Sequence, residues 1–154
     1  MTFFVDANVI VYAATESEYR GACLQILEAV ANGDVDGRTS PAVLEEVWYV
    51  ERSGRAGPLD GLAVQAYAVF RPLLPVTDDA FRLALSVRKP ELGPADRLKV
   101  GTCRSSDVDT IVSADSGFAG LRGLRRVDPL DRAAVRRLLS GPKVSRTASA
   151  YHRA

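Results

Sequence analysis

The chain has 154 residues, of which 47% are hydrophobic, 25% charged and 7% aromatic, with a formal charge of +1. That length suits one domain with a core large enough to fold unaided, and no apolar run approaches the roughly 18 residues that cross a membrane. The near-neutral charge hides an asymmetry: residues 122–154 hold nine basic residues against Asp128 and Asp131, a balance of +7, so residues 1–121 carry −6.

Thr2–Val5 reads as a short apolar strand that ends at Asp6. In α/β folds ligands gather at the carboxyl ends of the strands. Asp6 therefore stands where chemistry is expected, but Asp also caps helices, and this stretch alone does not decide between the two. Asn8–Ala14 predicts a short helix. A longer one starts near Ser17-Glu18, with Cys23, Ile26, Leu27 and Val30 at i, i+3, i+4 and i+7, and stops at Asn32-Gly33-Asp34. Val35–Thr39 is a weak strand candidate. Ser40-Pro41 is a strong helix start, and that helix runs through Val50 until Ser53–Pro58 breaks it.

Leu59–Phe70 predicts a further helix and Leu73–Val76 a brief strand. Thr77-Asp78-Asp79 caps the next helix, and Gly93-Pro94 opens another that carries Asp96, Leu98 and Val100–Cys103. Thr110–Ala114 is a buried strand stopping at Asp115, Leu124–Val127 an edge strand, and Asp128-Pro129 the cap of a last helix reaching Leu139. Residues 1–141 are expected to form the domain, and the polar residues 142–154 a flexible tail. Short strands alternating with helices predict an α/β fold, a three-layer α/β/α sandwich around a mainly parallel sheet. Cys23 and Cys103 stand apart inside helix-like stretches and read as buried apolar residues of a cytoplasmic chain. The N-terminus has no basic region before its apolar run, so no signal peptide is expected.

Four acids hold comparable places. Asp6 and Asp115 each end a strand, Glu46 lies on the helix after Val35–Thr39, and Asp96 lies in the first turn of its helix. At 100° per residue Glu46 borders an apolar face of Val43, Leu44, Val47, Trp48 and Val50, whereas Glu45 lies nearly opposite it. Each acid has a plain structural explanation: cap, turn residue or complement to a helix dipole. Clustered in space, they would repel unless cations neutralised them. Oxygen ligands of this kind suit Mg²⁺ or Mn²⁺, which activate water and stabilise displacement at phosphorus. The one histidine, His152, lies in the tail, and no nucleophile elbow, Walker loop or dinucleotide turn is present. The basic end suits a polyanion, although basic residues on a terminal helix are more often simply solvated.

Phe-Val-Asp-Ala-Asn-Val at 4–9, Val-Leu-Glu-Glu-Val-Trp-Tyr-Val at 43–50, Asp96 opening a helix, and Asp109-Thr-Ile-Val-Ser-Ala-Asp-Ser-Gly-Phe118 occur in the order found in PIN-domain ribonucleases. Over residues 2–130 the chain resembles that family, particularly the toxins of VapBC toxin–antitoxin pairs. The resemblance implies a Mg²⁺- or Mn²⁺-binding, catalytic set of Asp6, Glu46, Asp96 and Asp115, with Asn8 and Ser113 as accompanying polar positions. It further implies endonucleolytic RNA cleavage, a homodimer, and inhibition by a cognate antitoxin. Two departures stand out. Arg97 and Lys99 follow Asp96 where the family is usually small and apolar, which suggests contact with phosphate or a partner. Ser116-Gly117 stands where many members carry a further acid. Arg122, Arg125 and Arg126 are the first candidates for RNA backbone contact.

The alternatives are a PIN nuclease of RNA processing without an antitoxin and a degenerate PIN module that binds RNA or protein without cutting. An aspartyl-phosphate phosphatase using Asp6 as nucleophile is a weaker rival, because position 8 holds Asn8 where that chemistry wants an acid.

Overall fold

The computed structural model describes residues 1–141. The expected tail, with His152, Lys143, Arg146 and Arg153, lies outside them. The described residues form a four-stranded, wholly parallel sheet in the order β2-β1-β3-β4, where β1 is Thr2–Val5, β2 Asp36–Arg38, β3 Thr110–Val112 and β4 Arg125–Val127. Seven helices flank it: α1 Ala7–Ala13, α2 Arg20–Ala31, α3 Pro41–Ser53, α4 Leu62–Phe70, α5 Asp78–Leu85, α6 Pro94–Ser105 and α7 Arg132–Leu139. This is the predicted three-layer α/β/α architecture.

Strand β1 pairs along both edges, with β2 and β3. Phe3, Phe4 and Val5 are wholly inaccessible, as are Ile111 and Val112 of β3, the continuous apolar pattern of a sheet covered on both faces. Thr2 pairs with Asp36 on one side of β1, and Phe4 pairs with Ile111 on the other. Gly37 lets α2 approach β2 closely, since a Cβ there would strike the Val30 methyl.

The carboxyl ends of the strands are tied by hydrogen bonds that continue past the ladder. Asp6 N donates to Val112 O at 3.1 Å, and Ser113 N to Val127 O at 3.1 Å. Thr39 is wholly buried and its Oγ1 donates to Val5 O at 2.8 Å. Immediately after it Ser40 caps α3, with Pro41 at the first helical position. The end of β1, the start of α1 and the start of α3 are thereby fixed together.

Some element bounds differ from those expected. Leu73–Val76 forms no strand; Leu74 N donates once to Thr39 O, and Pro72 and Pro75 cannot donate to a ladder. Helix α2 starts at Arg20 rather than near Ser17, because Ser17 closes a turn by accepting from Tyr19 N. Helix α7 is capped by Asp131, which accepts from Ala134 N; Asp128 instead accepts from Leu130 N and pairs with Arg126. Among the described residues no helix is long and apolar enough to cross a membrane.

Candidate active site

Asp6 is the hub of the site. It is 2% exposed at the end of β1, and its backbone is extended (φ −80°, ψ 160°), as the residue before a helix requires. One carboxylate oxygen, Oδ1, accepts from Ala7 N at 2.8 Å, so Asp6 does cap α1. Oδ2 accepts from Ser113 Oγ at 2.7 Å and from Asn8 Nδ2 at 3.1 Å. Cap and site residue are one and the same.

Asn8 and Ser113 bind the ends of β1 and β3 into one unit. Asn8 Nδ2 also donates to Ser113 Oγ, and Asn8 Oδ1 accepts from Ala114 N. Ser113 Oγ in turn accepts from Asp115 N at 3.0 Å. These contacts orient Asp6 and hold the backbone of Asp115 beside it. The Asp115 side chain is exposed and accepts from Gly117 N at 2.8 Å, capping the short 3₁₀ turn Ser116–Phe118.

The remaining acids meet at a single nitrogen. Lys99 Nζ lies 2.8 Å from Asp6 Oδ1, 2.8 Å from Glu46 Oε2 and 3.1 Å from Asp96 Oδ1. The Lys99 side chain is 5% exposed, against 29% for Asp96 and 48% for Glu46. On α6, Asp96, Lys99, Val100 and Cys103 follow at i, i+3, i+4 and i+7, so the lysine shares a face with two wholly buried residues. Burial alone disfavours its charged form, but Asp6 and Glu46 outweigh that, and the Lys99 pKa is raised above the ordinary lysine value. Burial, with the Asp6 charge added, also pushes the neighbouring Cys103 thiol up to about 12, which keeps it protonated and unreactive.

Three of the four expected acids are thus joined through Lys99, and Asp115 through Ser113. Glu46, expected beside buried surface, is 48% exposed, and its partner is the Lys99 ammonium. Trp48, expected on the same apolar face, is 56% exposed. Lys99 turns inward to three carboxylates, whereas the sequence suggests contact with phosphate or a partner. The i, i+3, i+4, i+7 spacing of Asp96, Lys99, Val100 and Cys103 is the sequence signal for this inward placement. The donor set itself, carboxylate oxygens from three elements, is of the hard kind that Mg²⁺ or Mn²⁺ accepts. Yet among the described residues no three Asp, Glu, His or Cys side chains form a group arranged to hold a metal ion.

The arginines fall into two kinds. Arg97 donates to Leu92 O and Lys89 O, pinning the loop before α6, and Arg126 donates to Ser113 O and Ala114 O while pairing with Asp128 at 2.8 Å. Both hold backbone that carries site residues. Arg122 and Arg125 are exposed. Arg125 pairs in register with Thr110 at the start of β3, which puts it at the end of the sheet opposite the acids.

Residues 3–124 match the family model described as PIN domain. The chain belongs to the PIN domain family. No curated protein matches the chain. Among solved structures, VapBC2 from Rickettsia felis, bound to a DNA fragment from its promoter, superposes with a TM-score of 0.64 at 16% identity, covering 83% of this chain and 98% of that one. Mycobacterium tuberculosis VapC20, a sarcin–ricin loop cleaving toxin, gives 0.58 at 20% identity over 80% and 99% of the two chains. FitAB bound to an IR36 DNA fragment gives 0.65 at 19% over 83% and 95%. At such identities these likenesses establish the PIN fold. PIN domains are generally dependent on divalent metal ions.

Proposed function

We propose that this PIN domain is a Mg²⁺- or Mn²⁺-dependent endoribonuclease and the toxin of a type II toxin–antitoxin pair. The observation that carries the reading is the convergence of Asp6, Glu46 and Asp96 at the carboxyl edge of a parallel sheet in a chain of this family. The neighbours support the toxin assignment: one is an RNA-cleaving toxin, and VapBC2 and FitAB were solved as complexes on DNA.

Asp6, Glu46 and Asp96 would hold the metal, and Asp115 would help bind a second ion or orient the attacking water. Bound there, the ion would lower the pKa of a water molecule and stabilise charge on the phosphorane-like transition state. The chain's own residues supply the positioning. Ser113 and Asn8 fix the Asp6 carboxylate, and Arg126 fixes the loop that leads to Asp115. The exposed Arg132, Arg136 and Arg137 on α7 offer positive charge for RNA phosphates, whereas Arg122, three residues before β4, lies with Arg125 at the far end of the sheet. Arg97, Lys99, Arg125 and Arg126 are engaged within the protein or lie at the far end of the sheet, and are weaker candidates for that contact. Exposed apolar side chains on α5, Phe81 at 57% and Leu85 at 73%, suit a second copy of the chain or an antitoxin. A toxin of this kind works in the cytoplasm.

Asn is as good a helix cap as Asp, so Asp6→Asn should keep the fold while removing one site charge. Asp6→Asn and Asp96→Ala are each expected to abolish metal-dependent RNA cleavage with circular dichroism unchanged. Full activity in either purified variant would sink the assignment. A second reading, a PIN module that binds RNA or protein without cutting, is favoured by the ammonium standing among the acids; no cleavage by the wild-type chain across RNAs and divalent ions would support it.

A further inference from the structure

We propose that Lys99 is the built-in cation of the acidic site, and that a divalent ion enters there only by displacing its ammonium. The inference rests on the reading of Asp6, Glu46 and Asp96 as the metal-binding set.

Three separate elements deliver these carboxylates: Asp6 from the end of β1, Glu46 from α3 and Asp96 from α6. All three reach the same Nζ, at 2.8, 2.8 and 3.1 Å. The ammonium donates a hydrogen bond to Asp96 Oδ1 and is ion-paired with Asp6 and Glu46, so one charge serves all three carboxylates. The oxygens stand off at the spacing of an N–H···O bond, whereas Mg²⁺ binds oxygen at about 2.1 Å. That spacing agrees with the lack, among the described residues, of any group of acids arranged to hold a metal ion.

A dication and the ammonium cannot share the point, since like charges at contact distance repel, and Lys99 and Asp6 are both buried there. Three carboxylates against one ammonium still leave a balance of −2 at the centre, enough to attract a divalent ion once the lysine moves aside. Without a metal, Lys99 keeps the carboxylates from repelling one another. With one, it must swing out past Glu46, the most exposed of the three acids.

The test compares the full wild-type chain with Lys99→Met, a side chain of similar length without the charge. Mn²⁺ titrations followed by the electron paramagnetic resonance of free Mn²⁺ are expected to show binding about tenfold or more tighter in Lys99→Met. Lysine-selective ¹⁵N NMR of the wild-type chain is expected to show a solvent-protected Nζ resonance, absent from the variant, that disappears as diamagnetic Mg²⁺ saturates the site. Equal Mn²⁺ affinities, including no measurable binding to either protein, overturn the proposal. So does a protected Nζ resonance that survives saturating Mg²⁺, or a wild-type chain with no protected Nζ. The NMR arm stands even if Lys99→Met folds poorly. Neither readout needs turnover: a tenfold affinity difference without RNA cleavage removes the nuclease reading and keeps the Lys99 assignment, while cleavage with equal affinities does the reverse.

Discussion

Ser113 shows how much one small side chain carries here. Its buried hydroxyl donates to Asp6 Oδ2 and accepts from both Asn8 Nδ2 and Asp115 N, so three polar groups, two at the β1–α1 junction and one just after β3, depend on one oxygen. Ser113→Ala leaves Asp115 N without its acceptor and Asn8 Nδ2 with Asp6 Oδ2 alone, both in a partly buried place, and removes a buried donor from Asp6. The expected cost is about 1–3 kcal/mol of stability, read as a lower urea midpoint with an unchanged slope. Any RNA cleavage should fall along with it, because the carboxylate of Asp6 loses a hydrogen bond that orients it. An unchanged midpoint would mean that the three-way junction is not held as described. Asn8 acts at the same scale, using both ends of its amide to join β1 and the residues after β3.

At the scale of elements, the position of α6 matters most, because it carries both Asp96 and Lys99. Its seating depends on Gly101, which faces α5 so closely that a Cβ would run into the Ala80 carbonyl and the Ala84 amide. Backbone cannot yield as a flexible side chain does. Gly101→Ala is therefore expected to destabilise the protein by about 1–3 kcal/mol, although alanine is the better helix former. Thermal denaturation would check the sign: a rise in melting temperature would mean that α5 and α6 are not in this contact. A shift of α6 would also disturb the acidic site, since α6 carries both Asp96 and Lys99. Helix α3 is held differently, through Ser40 and the buried Thr39 that ties it to the end of β1.

For the whole molecule, one apolar core runs without a break from Phe3, Phe4 and Val5 through Ile26, Val43, Val100 and Phe118 to Leu138 on the last helix. We therefore expect residues 1–141 to unfold in one cooperative step, with near- and far-ultraviolet circular dichroism giving coincident transitions. Two resolved transitions would contradict a single domain. At this scale Asp6, Glu46 and Asp96 meet Lys99 at the carboxyl end of the sheet, while the exposed arginines of α7 lie on a flanking layer.

The amino-acid sequence by itself determined the elements and the places of the acids, because these are local properties. Proline and glycine positions, caps and apolar spacing set where helices and strands begin. A carboxylate at the end of an apolar strand then falls at the carboxyl edge of a parallel sheet by topology alone. Only the tertiary structure decided what those acids touch. Positions 6, 46, 96 and 99 meet because crossover helices return each segment to the same edge, and no local pattern states how far a side chain reaches across that gap. The lysine was visible as a charge on a helix; whether it faced water or the acids depended on how α6 packs against α5 and the sheet. Leu73–Val76 failed for a similar reason, since an apolar run becomes a strand only when a neighbour offers it a ladder. The placement of Lys99 Nζ among Asp6, Glu46 and Asp96 is a product of packing, and it turns three separately plausible acids into one electrostatic unit.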